Sequence, residues 1–146
     1  MNVRKVAIAI FYDKDLNILV QERGEHSRLG EKYGFFGGRI REGETPRQAM
    51  ERELLEEIGF VPEKLDYWLE DSYTWEKEGK YKGWLISCHV FLSPITPTLE
   101  KSKVLEGKGA VKMSLEEVIG EEGFPEGSTK FLRGLSDKLS KGKEHL

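Results

Sequence analysis

The stretch Thr45-Pro46-Arg47-Gln48-Ala49-Met50-Glu51-Arg52-Glu53-Leu54-Leu55-Glu56-Glu57-Ile58-Gly59 limits what this chain can fold into more than any other. Thr45 reads as an N-cap, Pro46 suits the first helical position, Gln48 stands where a capping box closes, and Gly59 is a fitting helix stop. The helix these signals frame runs about 13 residues, or about 20 Å. Met50, Leu54 and Ile58 recur at four-residue spacing on one face, which must be buried against a sheet. Beside that stripe, Glu53, Glu56 and Glu57 fall at i, i+3 and i+4, within an arc of about 100°. Such a cluster repels itself by a few tenths of a kcal/mol per pair on an exposed helix and by more when partly buried. One reading is a solvated glutamate face; the other is a cation site, in which a bound ion reverses the sign of the repulsion.

The surroundings bear on that choice. Gly37-Gly38 and Gly43-Glu44 lie just upstream, so a flexible turn can bring backbone carbonyls near the carboxylates. Carboxylate and carbonyl oxygens favour hard cations such as Mg²⁺ or Mn²⁺ over zinc. No cysteine or histidine cluster competes: Cys88 is the only cysteine, and His26, His89 and His145 have no ligand spacing among them. Cys88 stands in the apolar run Leu85 to Phe91 and reads as a small buried hydrophobe.

Around the helix, residues 3–11 and 18–21 read as strands joined by Asp13-Lys14-Asp15-Leu16-Asn17, and residues 66–75 and 84–92 as a second hairpin. Ser114 opens a short helix, and residues 129–139 carry Phe131, Leu132, Leu135 and Leu139 at helical spacing. Residues 141–146 read as a frayed polar tail. Mixed in this order, the elements predict an α/β layered domain with a mixed sheet.

At 146 residues the length suits one domain spanning 1–146. A charged fraction of 34% that nets only −3 describes a balanced globular surface, and no basic stretch favours nucleic acid as partner. The apolar run from Val6 to Tyr12 is too short to span a membrane and has no signal-peptide pattern, so a cytoplasmic location is the expectation.

Gly38, Glu44, Arg52, Glu53, Leu54, Glu56, Glu57, Gly59 and Phe60 reproduce all nine defined positions of the Nudix box, Gly-x5-Glu-x7-Arg-Glu-U-x-Glu-Glu-x-Gly-U, where U is a bulky apolar residue. The chain thus resembles the Nudix hydrolases, and the resemblance implies their α/β/α sandwich with a mixed sheet. It implies that Glu53, Glu56 and Glu57, with the Gly38 carbonyl, bind one to three Mg²⁺ ions, with Mn²⁺ as a substitute. It further implies that Arg52 orients the carboxylates, that Glu44 supports the loop and helix, and that Glu53 or Glu56 serves as general base. Glu100, Glu106, Glu121 and Glu122, on later loops, stay open as alternatives for the base.

The implied reaction is hydrolysis of a pyrophosphate bond in a nucleoside diphosphate linked to another group, by a monomer or homodimer acting on a small nucleotide. The segment Lys32-Tyr33-Gly34-Phe35-Phe36-Gly37-Gly38 is similar to that of members acting on oxidised purine nucleoside triphosphates, with Tyr33 and Gly34 as departures. A nucleoside triphosphate, oxidised or otherwise modified or not, is therefore the expected substrate. ADP-ribose, sugar nucleotides and dinucleoside polyphosphates remain alternatives, as does a non-catalytic nucleotide-sensing module. The isomerase branch of the fold would want a reactive cysteine, and Cys88 in an apolar strand fits that poorly. Tyr33, Phe35, Trp75, Trp84 and Phe124 are candidates to stack on a base.

Overall fold

The computed structural model describes residues 2–23, 31–102 and 109–144. Its strands are β1 (Val3–Tyr12), β2 (Asn17–Glu22), β3 (Tyr33–Gly34), β4 (Phe36–Arg39), β5 (Asp66–Thr74), β6 (Leu85–Pro94) and β7 (Ala110–Ser114). The helices are α1 (Pro46–Glu57), α2 (Pro97–Glu100), α3 (Leu115–Gly120) and α4 (Leu135–Glu144), with a 3₁₀ turn over Lys130–Gly134 leading into α4.

β1 is the hub of the sheet. It runs parallel to β6 over its whole length, Val3 opposite Leu85 through Tyr12 opposite Pro94, and antiparallel to β4 from Val6 opposite Arg39 to Ala9 opposite Phe36. β5 and β6 form the expected antiparallel hairpin, with a register shift between Tyr67 and Leu69. The first hairpin departs from expectation. Its turn is built as read: Asp13 Oδ1 accepts from the Asp15 and Asn17 amides, each at 2.9 Å, and Leu16 takes φ 59°. Yet β1 and β2 pair only at Tyr12 opposite Ile18, and then diverge. β2 turns away to pair with β7 and β3, leaving β1 free to receive β4.

Alternation along the strands sorts the core into two layers. Ala7, Ala9, Phe11, Leu19, Phe36 and Phe91 face α1, where Ala49, Met50, Leu54 and Ile58 pack against them. Ile10, Ile18, Val20, Cys88, Val90 and Leu92 face the other way, toward Val118, Phe131, Leu132 and Leu135 of the C-terminal helices. The result is the expected α/β/α sandwich on a mixed sheet. The alanines at positions 7 and 9 and the glycines at 37 and 38 let α1 and β4 approach closely. A Cβ on Gly37, which has φ 140°, would lie 2.0 Å from the Ala7 carbonyl oxygen.

Helix α1 carries the cap read from the sequence: Thr45 accepts from the Gln48 amide at 3.1 Å, and the Gln48 side chain accepts from the Thr45 amide at 2.9 Å. It ends one residue sooner than expected, at Glu57, with Ile58 as cap and Gly59 at φ 86°. The same box geometry, Ser114 with Glu117, opens α3. The helix expected over 129–139 divides, as a 3₁₀ turn followed by α4. Gly134, the residue costliest in a helix interior apart from proline, stands at the junction. Residues 141–144, expected in a frayed tail, continue α4, while 145 and 146 lie outside the described residues.

Leu54 is fully buried between α1 and the sheet, whereas its neighbour Leu55 is 55% exposed. Leu54→Ala is expected to cost about 2–5 kcal/mol in urea unfolding, and Leu55→Ala less than about 0.5 kcal/mol. Equal costs would show that α1 does not bury the face assigned to it.

Candidate active site

The polar edge of α1 meets the turn after β4 at one guanidinium. Arg52 grips Glu44 with two hydrogen bonds, Nε to Oε2 at 2.7 Å and Nη2 to Oε1 at 2.9 Å. Its Nη1 donates to Glu53 Oε1 at 2.8 Å and its Nη2 also to the Arg39 carbonyl at 3.0 Å. Glu56, one turn on, is 3.8 Å away. Glu44 in turn accepts from the Arg41 amide at 2.8 Å, which closes the loop leading into the helix. The Arg52 hydrogen bonds, then that amide, hold the Glu44 carboxyl down to about 2. The same partner raises the Arg52 pKa further above its ordinary value. The i,i+4 contact from Arg52 to Glu56 exists, but the short bonds go to Glu44 and Glu53.

The three box glutamates point in different directions. Glu53 lies against the backbone of β4, so close that a Cβ on Gly38 would fall 2.5 Å from its Oε1. Glu57 turns inward, accepting from the Gly37 amide at 3.1 and 3.3 Å and from Gln21 Nε2 at 2.9 Å. The Glu56 side chain is 56% exposed. Among the described residues, no three His, Cys, Asp or Glu side chains converge as a ready metal-ion cage. The donor set nevertheless suits a hard divalent cation. It is all oxygen, and the missing side chain at Gly38 leaves the Glu53 carboxylate directly against the backbone of β4.

Burial pushes the Glu57 carboxyl up to about 7; the Gly37 amide opposes this, Glu53 adds to it, and Arg23 and Gln21 oppose it. Gln21 was not singled out in the sequence, nor was Arg23, whose Nη2 donates to Gln21 Oε1 at 3.1 Å. Nothing in their residue types marks them; antiparallel pairing of β2 with β3, Gln21 opposite Gly34, brings the Gln21 side chain to Glu57 and Arg23 just beyond it.

From Gly37, Gly38 and Glu53 a cleft of about 450 Å³ runs along the opposite side of the sheet to an aromatic wall. Tyr33, Phe35, Trp75 and Phe124, four of the five aromatic candidates, line it, as do Tyr73 and Tyr81. Phe35 stacks on Phe124 with centroids 5.0 Å apart. Trp84 lies outside the lining and meets Tyr81 edge-on at 5.0 Å. Arg4, Arg23 and Arg39 also line the cleft, three cations that the sequence reading passed over. Cys88 forms part of the wall, buried as expected, its thiol pushed up to about 12 chiefly by burial.

The later-loop alternatives for the base fall elsewhere. Glu100 accepts from Lys112 at 3.1 Å and Glu121 from the Gly123 amide at 3.0 Å, and neither they nor Glu122 line the cleft. Glu106, His26 and His145 lie outside the described residues. His89 is on β6, with Tyr67 at 3.0 Å.

Glu57 yields a test of this electrostatic arrangement. Its carboxyl ionises near 4.5 when unfolded but near 7 in the fold, so between those values the unfolded chain holds fewer protons. In EDTA, stability is expected to fall as pH rises from about 4.5 to about 7, and Glu57→Gln to flatten that part of the profile. Urea midpoints across the range check it; an unchanged slope in the variant would show that Glu57 does not titrate as described.

Comparison with known proteins shows the family and the fold. The family model described as NUDIX domain matches residues 1–135. An Escherichia coli protein named 8-oxo-dGTP diphosphatase is 32% identical over 105 residues, covering 58% of this chain and 81% of that one. The MutT protein of Methanosarcina mazei superposes with a TM-score of 0.70 at 19% identity, covering 94% of this chain and 96% of the other. The Ap4A hydrolase of Caenorhabditis elegans gives 0.66 at 21%, covering 94% and 98%. With a family model spanning nearly the whole chain, an intact box and the sandwich that carries it, the protein belongs to the Nudix family and is a Nudix hydrolase.

Proposed function

We propose that the protein cleaves a nucleoside triphosphate to a nucleoside monophosphate and pyrophosphate with the help of Mg²⁺. The observation that carries this reading is the continuity of one cleft, with Glu53 and Gly37-Gly38 of β4 at one end and an aromatic wall at the other. That shape suits a ligand with a phosphate chain at the box and a flat heterocycle beyond it. The name of the E. coli relative, 8-oxo-dGTP diphosphatase, supports a nucleoside triphosphate, oxidised or not.

Glu53, Glu56 and Glu57, with the Gly38 carbonyl, would hold the cation, which when bound neutralises phosphate charge and makes an attacking water more acidic. Arg52 keeps Glu53 in place through its 2.8 Å bond, and Glu44 fixes Arg52 by the two-point grip. Arg23 and Arg39 offer positive charge along the cleft to the phosphate chain. The water oxygen forms a new bond to phosphorus, the bridging P–O bond breaks, and pyrophosphate leaves. The water's proton passes to a carboxylate oxygen of Glu53 or Glu56. Glu56 is the more open of the two to solvent, whereas Glu53 is already held by Arg52.

The nucleotide products and any pyrophosphate released from a panel of nucleoside triphosphates, ADP-ribose, sugar nucleotides and dinucleoside polyphosphates, in Mg²⁺ and in EDTA, are to be separated chromatographically. Metal-dependent cleavage of triphosphates is the expected result; cleavage of another class alone would replace this substrate. Glu56→Gln, on an exposed and near-isosteric position, is expected to keep the fold and lower kcat by at least ~10³. Turnover like the unmodified protein's would remove Glu56 from the chemistry.

A further inference from the structure

Two polar atoms among the described residues are buried without a hydrogen-bond partner: Glu31 Oε2 and Ser128 Oγ. Both residues line the cleft. Ser128 is 8% exposed, and the Glu31 side chain 11%. An unpaired buried acceptor is costly and uncommon, so two in one cleft point to partners that a ligand brings.

They belong to segments that are fastened together. The Lys32 and Tyr33 amides donate to the Gly123 carbonyl at 2.9 and 3.0 Å, and Phe124 packs on Tyr33 and Phe35. A turn from Pro125, whose carbonyl accepts from the Ser128 amide at 3.0 Å, sets Ser128 beside the same wall. Arg23 Nε stands 3.7 Å from Glu31 Oε1, so one carboxylate oxygen faces a counter-charge and the other has none. Gly34 permits this: a Cβ there would lie 2.4 Å from Arg23 Nε and drive the guanidinium off.

A carboxylate only accepts hydrogen bonds, and beside an aromatic wall it selects a flat heterocycle with N–H donors on its edge. Guanine has two adjacent donors, N1–H and the N2 amine, which one carboxylate can take together. Adenine and cytosine each set a single amine beside a ring-nitrogen acceptor, and uracil sets one N–H between two carbonyls. A hydroxyl both donates and accepts, so Ser128 can serve any base.

We propose that Glu31 reads the N1–H and N2 amine edge of a guanine seated in the cleft, and that Ser128 adds a hydrogen bond indifferent to the base. This rests on the cleft being the nucleotide site, and the test separates the two. GMP, AMP, CMP and UMP are titrated calorimetrically into the protein and its Glu31→Gln and Ser128→Ala variants, alongside triphosphate cleavage by the unmodified protein. GMP is expected to bind tighter than the others by about tenfold or more, and Glu31→Gln to remove that preference while changing the other three by less than about threefold. Ser128→Ala is expected to weaken all four by a few-fold, about what one neutral hydrogen bond gives. No GMP preference, or an equal loss of all four on Glu31→Gln, overturns the inference even if triphosphates are cleaved. GMP preference that depends on Glu31 upholds it even if no triphosphate is cleaved, in which case the hydrolytic reading of the site is what fails.

Discussion

Helix α1 has to satisfy two demands on adjacent faces, and the guanidinium of Arg52 is what makes them compatible. Ala49, Met50, Leu54 and Ile58 bind the helix to the sheet, which brings Glu53 and Glu57 along the same edge into poorly hydrated ground. Carboxylates there need counter-charges or donors, since desolvation alone favours their neutral forms. Arg52 supplies one and ties it to Glu44 and to the Arg39 carbonyl, so helix, entry loop and β4 are joined at a single planar group. Lysine could not reproduce this, because the bonds to Glu44 need two donors in a fixed fork.

Close approach is the second condition. Gly37 and Gly38 lack side chains where β4 crosses β1 and meets α1, and a Cβ at either position would collide with the Ala7 carbonyl or the Glu53 carboxylate. This is why the Gly37 amide is free to reach Glu57, and why Glu53, held by Arg52, also lies directly against the β4 backbone. The glycines are not the flexible turn expected from the sequence: they lie in β4, paired with Ile8 and Ala7, where they set the distance between the acidic helix and the sheet.

The sheet then divides the labour between its faces. The α1 side is packed tightly, with small residues at Ala7 and Ala9, whereas on the other side the aromatic residues that build the core also edge an open cleft. Arg4, Arg23 and Arg39 make the cleft receptive to anions although the chain as a whole is net negative. Glu31 is an acid in that basic setting, held near Arg23. Its burial is explained neither by packing nor by hydrolysis, which makes it the most informative residue outside the box.

Features that depend on neighbours along the chain were legible in the residues alone. The capped helix, its apolar stripe, the Asp13 turn, the β5–β6 hairpin and the α3 box are all set by residues within a few positions of one another, and the nine-position box carried the family. The direction of each box glutamate was not legible, because it depends on which donors approach from β4 and β2, and the spacing i, i+3, i+4 could only place the three on one arc. Nor was the division of β1 from β2, since both are apolar strands joined by a good turn; the choice of β6 and β4 as partners for β1 rests on burial across both faces of the finished sheet. Gln21, Arg23, Glu31, Arg39 and Ser128 come from four separate segments, with ordinary residue types at unremarkable spacings. They share a site through the fold, because side chains distant in sequence meet only where strand pairing and the packing of α1 bring their backbones together.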